Sequence, residues 1–271
     1  MEKINRVGRL KRCLLQRSLR KRKIAAHIWL RLEKQMPLLS RYNKHGKQQL
    51  RILASRILAK KYFTGVQGMQ ITPLVEATLA TQIAITVFGL QDPLQDRALS
   101  WLDNWHEVVV YPTPFIRSHC SSIQMGGSPV GIDSMHDLIE EGETFYQGPL
   151  VINWQADEPH ELTKQANQVL IHELAHKLDM LDGSSNGHPP LHAEMNEEKW
   201  FKAFKDAFEH INRQVNKGCK APVNAYAATN PAEFFAVVSE YFFESPNVLR
   251  HAYPDVFEQL CLFYRQDFSH G

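Results

Sequence analysis

Hydrophobic positions recur at helical intervals along most of the chain and turn to β-branched clusters in two short places. Residues 1–25 alternate basic and aliphatic groups without a clear cap, a pattern that predicts a frayed basic helix. From Ile28 to Tyr62 the period stays helical: IWLRL, then PLLSRYNKHGKQQLRILASRILAKKYF, with Leu50, Ile52, Leu53, Ile57 and Leu58 on one face. Gly65 and Gly68 break the pattern, and GMQI predicts a short extended piece. Thr72 followed by Pro73 predicts the cap and first turn of a third helix running to about Phe88. That helix, LVEATLATQIAITVFGL, is apolar nearly all round. It reads as a buried core helix, and Glu76 and Gln82 argue against a membrane span.

After Asp103 the signal changes. HEVVVYPTPF and LVINW (residues 150–154) are β-branched runs bounded by Pro or Gly, and predict strands. Residues 117–147 are rich in Gly, Ser and Asp, and predict loops with one further strand near 143–146. Helical periodicity returns over about 161–181, 196–217 and 231–243, with a last helix near 255–267. The expected fold class is α+β: a small mixed sheet and helices, preceded by an α-helical N-terminal part. The domain division expected is a basic extension at 1–28, a helical part at 29–90 and a catalytic domain at 91–271.

Composition narrows the class. The 271 residues are 44% hydrophobic and 22% charged, which excludes wholesale disorder. The first residues lack the apolar stretch of a secretory signal. The four cysteines form no CxxC pair, which suits a reducing, cytoplasmic setting. A net charge of +2 conceals a strong asymmetry. Residues 1–61 hold 19 Lys or Arg against Glu2 and Glu33, and the remainder holds 12 against 27 acids. Such a basic head fits nucleic acid, an anionic membrane surface, or simply a solvated helical face.

The chemistry lies at residues 172–176, HELAH. On a helix, His172 and His176 project from one face a turn apart, so two imidazoles can ligate one tetrahedral zinc. Glu173 can then take a proton from a zinc-bound water. The flanks agree, with Val169, Leu170, Leu174 and Leu178 at helical spacings and no Gly or Pro inside. At this composition a chance HExxH is expected roughly 0.04 times, so the motif is informative without being decisive.

Two histidines need a third ligand. Asp182 lies six residues after His176, but the glycine that turns such short-spaced motifs is replaced by Asp179. Glu233 and Glu240 both lie on a later helical segment, NPAEFFAVVSEYFFE, two turns apart on roughly one face. Asn230-Pro231-Ala232-Glu233 also reads as a helix start, so Glu233 could be only a capping residue. Spacing alone leaves Glu233 and Glu240 open. His188 and His192 sit in a Gly/Pro/Asn-rich loop, expected to be solvated. The aromatics Phe234, Phe235, Tyr241, Phe242 and Phe243 read as core, and Cys120, Cys219 and Cys261 as packing or inert thiols.

HELAHKLDMLDG together with NAYAATNPAEFFAVVSEYFFESP resembles the Mlc titration factor A family of bacterial zinc metallopeptidases, whose catalytic core is similar to that of anthrax toxin lethal factor. The similarity runs from about Trp29 to Asp267 and includes WHEVVVYP and GPLVINW, leaving the basic head unmatched. The resemblance implies a zincin-like fold and one Zn2+ per chain, held by His172, His176 and Glu233. It also implies Glu173 as general base and Tyr226 as a catalytic phenol, and leaves Glu240 and Asp179 to support the ligands. A tyrosine beside the metal can donate to the oxyanion of an attacked carbonyl; packing under the Glu233 helix is the structural alternative. The implied activity is aminopeptidase-like hydrolysis of peptides, linked to glucose uptake through binding of an Mlc-like transcriptional repressor.

Overall fold

In the computed structural model of the protein the described residues are 23–90, 97–112, 148–154 and 161–268. The basic segment before residue 23 and the strand expected near 143–146 lie outside them. One hydrophobic core runs from Ile24 to Phe268 and joins the N-terminal helices to the rest of the described chain.

The helical stretch expected from Ile28 to Tyr62 is divided. Helix α1 (Ala26–Gln35) stops because Pro37 forces the preceding residue out of helical geometry, and Met36 is extended at φ −110° and ψ 97°. Pro37–Arg41 form a 3₁₀ turn, and Asn43 then caps α2 (Lys44–Lys60), its side chain accepting from Gly46 N at 2.8 Å. Leu50, Leu53, Ile57 and Leu58 of α2 are buried, whereas Ile52 falls outside the stripe and is 45% exposed.

Strand β1 is Tyr62–Gly65, immediately after α2, and not the GMQI segment that follows it. Lys61 explains the placement. Its ammonium is buried, donates to the carbonyls of Leu102 and Trp105, and stands 4.1 Å over the Trp105 ring. This ties the end of α2 to the chain entering the next strand. Gln67 and Gly68, both at positive φ, turn the chain afterwards.

Thr72 accepts from Val75 N at 3.3 Å and opens α3 (Pro73–Val87), as the sequence predicts. The segment Pro73–Leu90 is long and apolar enough to cross a bilayer, yet 72% of it is buried inside the fold, where α3 packs on α2 and on the helix carrying HELAH. Its all-round hydrophobicity reflects protein on every side.

Strands β2 (Glu107–Tyr111) and β3 (Leu150–Asn153) complete a sheet of order β1-β2-β3. Both pairings are parallel, with Phe63 opposite Val108 and Val108 opposite Leu150. The sheet is therefore parallel, not mixed, among the described residues. Parallel neighbours need a crossover, and α3 supplies it between β1 and β2. Val108, Val110, Leu150 and Ile152 share the buried face.

The remaining helices are α4 (Glu161–Asp179), α5 (Glu197–Asn216), α6 (Pro231–Glu244), α7 (Pro246–Ala252) and α8 (Pro254–Tyr264). Helix α4 packs on β3 and α6, and α5 packs on α8. Between them lies an aromatic cluster, with Trp200 stacked on Phe204 at 4.1 Å and Phe235 and Phe263 against Trp200. Phe234, Phe235, Phe242 and Phe243 are all core residues. Helix α7 and the 3₁₀ segments Arg97–Leu102 and Ala225–Ala228 carry no clear periodicity and were not expected.

Candidate metal centre

Helix α4 runs through HELAH without interruption, because no Gly or Pro interrupts it and Leu170, Leu174 and Leu178 anchor one side in the core. The i, i+4 spacing puts the His172 and His176 rings 4.7 Å apart, nearly perpendicular, with their Nε2 atoms 3.1 Å from each other. Helix α6 delivers the third group. Asn230 caps it, its side chain accepting from Glu233 N at 2.9 Å. The Glu233 carboxylate does not fold back onto that cap. It turns to the imidazoles, with Oε2 3.0 Å from His172 Nε2 and Oε1 3.4 Å from His176 Nε2. Glu233 thus serves the cap with its backbone and the cluster with its side chain.

Glu240, two turns along α6, faces the other side of the same ring and accepts from His172 Nδ1 at 2.6 Å. Spacing left the two glutamates open, and the geometry differs between them: Glu233 faces both Nε2 atoms, whereas Glu240 faces Nδ1 of His172. Asp182 is exposed in the turn after α4, where it accepts from Ser184 N and Oγ at 3.0 Å.

This arrangement fits a cation. A proton on His172 Nδ1, held by Glu240, leaves Nε2 of the neutral ring as a lone pair pointing at a carboxylate. His176 Nε2 converges on the same place. Glu233 Oε2 is buried and receives no hydrogen bond, despite lying 3.0 Å from His172 Nε2. Three potential ligand atoms within 4.8 Å of one another suit one metal ion. Burial would raise the Glu233 carboxyl, but the facing imidazoles outweigh it and hold the group well below the usual carboxylate range.

Glu173 is half-buried on α4, beside the first histidine. Lys177, one turn further, is buried and donates to Gly148 O at 2.9 Å; burial pulls its ammonium down to about 8, and Glu173 opposes that. Tyr226 sits on the 3₁₀ segment Ala225–Ala228, where Asn224 accepts from its backbone N at 3.0 Å. That segment packs on α6, and the Tyr226 ring lies 6.1 Å from the His172 ring. Asp179, at the C-terminal end of α4, is fully buried. Burial pushes its carboxyl up to about 6, against the amides of Gly187 and His188 and the nearby His176.

The loop after α4, where a solvated loop is expected, is solvated only in part. His192 donates to Phe263 O at 2.7 Å and sits against Trp101 and Phe263, and His188 lies 6.3 Å from the Trp200 ring. Of the cysteines, Cys219 is exposed, and Cys261 is half-buried with its thiol pushed up to about 12 by burial. Neither approaches the histidines by any contact seen among the described residues.

Two imidazoles and a carboxylate brought together by two helices form a group that could hold a metal ion, and the glutamate inside the histidine pair is the pattern of a metallopeptidase. Comparison with known proteins gives the family. The chain belongs to the glucose-regulated metallo-peptidase M90 family, which matches residues 10–265. The match starts well inside the basic head, which the sequence resemblance had left outside. The chain is 38% identical over 235 residues to Mlc titration factor A of Yersinia pestis (strain Pestoides F), covering 86% of this chain and 82% of that protein. The same figures hold for Mlc titration factor A of Yersinia pseudotuberculosis serotype O:1b (strain IP 31758).

Proposed function

We propose that the protein is a cytoplasmic zinc-dependent peptidase, aminopeptidase-like in its preference for short chains. In this reading 29–90 supports a catalytic unit at 91–271, and His172, His176 and Glu233 hold one zinc per chain. The observation that carries it is the convergence of those three donors within 4.8 Å, with Glu240 setting the His172 tautomer. Bound zinc would supply Lewis acidity to a scissile carbonyl and lower the pKa of a water in its open position toward neutrality.

The chain's own groups do the rest. Glu173 takes the proton from the attacking water and passes it to the leaving amine, which its place beside His172 supports. Tyr226 donates its hydroxyl to the developing oxyanion, a role supported by the contact of its ring with His172. Among the described strands β3 ends the sheet and adjoins α4, which supports pairing of an extended substrate with the chain near 143–154. Zinc analysis and a peptide library test the reading. About one zinc per chain is expected, lost in the His172→Ala/His176→Ala double variant, and Glu173→Gln should keep zinc while losing hydrolysis. Full zinc in the double variant would sink the assignment.

The relatives' name, Mlc titration factor A, favours a second reading in which capture of an Mlc-like repressor is the main task and turnover is incidental. Glu173→Gln separates the two: undiminished repressor binding without hydrolysis supports titration, and loss of both ties capture to catalysis. The basic head belongs to a third, smaller proposal of contact with nucleic acid or an anionic membrane. Deleting residues 1–27 should then abolish salt-dependent binding.

A further inference from the structure

Lys177 follows the second histidine of HELAH and is 6% exposed, so its ammonium lies out of water. Its Nζ donates to Gly148 O at 2.9 Å, two residues before β3 begins. The backbone of the same residue is also engaged. Lys177 O accepts from Asn104 Nδ2 at 2.9 Å, three residues before β2. One position on the metal-bearing helix thus holds the entrances of two adjacent parallel strands.

Burying an ammonium costs far more than burying an apolar chain of similar reach, which methionine would supply at this position. What lysine adds is a charge-assisted bond to a main-chain carbonyl, roughly twice as strong as a neutral one. A carbonyl belongs to the backbone, so the bond fixes where the strand itself lies and not merely one side chain. Glu173, one turn earlier on α4, is close enough to oppose the effect of burial on the Lys177 ammonium. The candidate general base and the clamp therefore share one side of the helix. Among the described strands, the one so clamped is at the edge of the sheet.

We propose that Lys177 is a positioning residue for the substrate: by clamping Gly148 it holds the β3 edge at the height from which an extended peptide reaches the metal. The inference rests on the zinc-peptidase reading above and on pairing of the peptide with that edge. Two hydroxamates separate metal from strand. Acetohydroxamate grips zinc alone, whereas a leucyl-alanyl-glycine hydroxamate also lays main chain along β3. Calorimetry on the zinc-loaded protein should show Lys177→Met binding the tripeptide hydroxamate roughly tenfold more weakly, the worth of one or two main-chain hydrogen bonds. Acetohydroxamate, and zinc itself by chelator competition, should bind within about twofold of the unmodified protein. Lys177→Met should melt no lower than the unmodified protein, since an apolar side chain replaces a buried charge. Lys177→Gln, whose amide is uncharged and one atom short, reads the same bond if the methionine variant does not fold.

Equal weakening of both hydroxamates, or a tripeptide hydroxamate bound by the variant within about twofold of the unmodified protein, overturns the positioning role. An unmodified protein that binds the tripeptide hydroxamate no tighter than acetohydroxamate overturns the pairing with β3, and this inference with it. An unmodified protein that takes up no zinc sinks the underlying reading as well.

Discussion

Glu240 offers a sharp test, because its contact with His172 is short and largely shielded from solvent. Its side chain is 13% exposed and accepts from His172 Nδ1 at 2.6 Å. A hydrogen bond to an ionised partner is worth about 1.5–3 kcal/mol, and a neutral one about 0.5–1.5 kcal/mol. Glu240→Gln keeps an acceptor of the same shape and removes the charge, so the expected loss is on the order of 1–1.5 kcal/mol. That corresponds to roughly a tenfold weaker zinc affinity. Glu240→Ala removes the acceptor altogether and should cost about 100-fold, the upper end for groups that orient a metal-bound histidine. Chelator competition on the purified variants measures both, with circular dichroism confirming the fold of the metal-free forms. Unchanged affinity in Glu240→Gln would refute the orienting role. Loss of zinc as complete as in Glu233→Gln would show that Glu240 is itself a ligand.

The remaining expectations concern neighbouring groups. Glu233→Gln should cost far more zinc affinity than Glu240→Gln, whereas a residue serving only the helix cap would tolerate glutamine. Tyr226→Phe should lower kcat about 10²–10³-fold on a peptide substrate with KM, zinc content and Tm nearly unchanged; a near-native kcat would leave Tyr226 a packing residue. Burial pulls Lys61 from the ordinary 10.5 down to about 8, so between those pH values the unfolded chain binds more protons and stability rises with pH. Urea unfolding at pH 8 and 10.5 should show the unmodified protein gaining up to about 3 kcal/mol relative to Lys61→Met, and parallel curves would refute it. Phe235→Ala, at a fully buried position against Trp200 and Phe263, should cost about 3–5 kcal/mol in the same assay.

Local features were legible in the sequence because they depend on atoms within a turn or two. HELAH on an unbroken helix, the Thr72 cap, the β-branched runs at 107–111 and 150–153 and the burial of the Pro73–Leu90 segment all follow from spacing and side-chain type. The break at Pro37 and the start at Asn43 are equally local, because proline restricts the residue before it and asparagine caps the helix after it. What periodicity supplies is a face, and a face does not name its partner.

Contacts between distant segments supply the rest. Glu233 and Glu240 share one side of α6, and only the position of α4 sends the first to Nε2 of both histidines and the second to Nδ1 of one. Strand β1 and the docking of His192 likewise depend on Lys61 meeting two distant carbonyls and on Phe263 lying 71 residues away. Gly187 in an Asn-Gly-His-Pro-Pro loop reads as an ordinary turn until Pro231 O is found where its side chain would be. Residue type and spacing specify which groups could hold a metal and on which helices they ride. Folding determined which lone pairs converge, because hydrogen-bond reach and close packing are settled in ångströms between segments that share no local period.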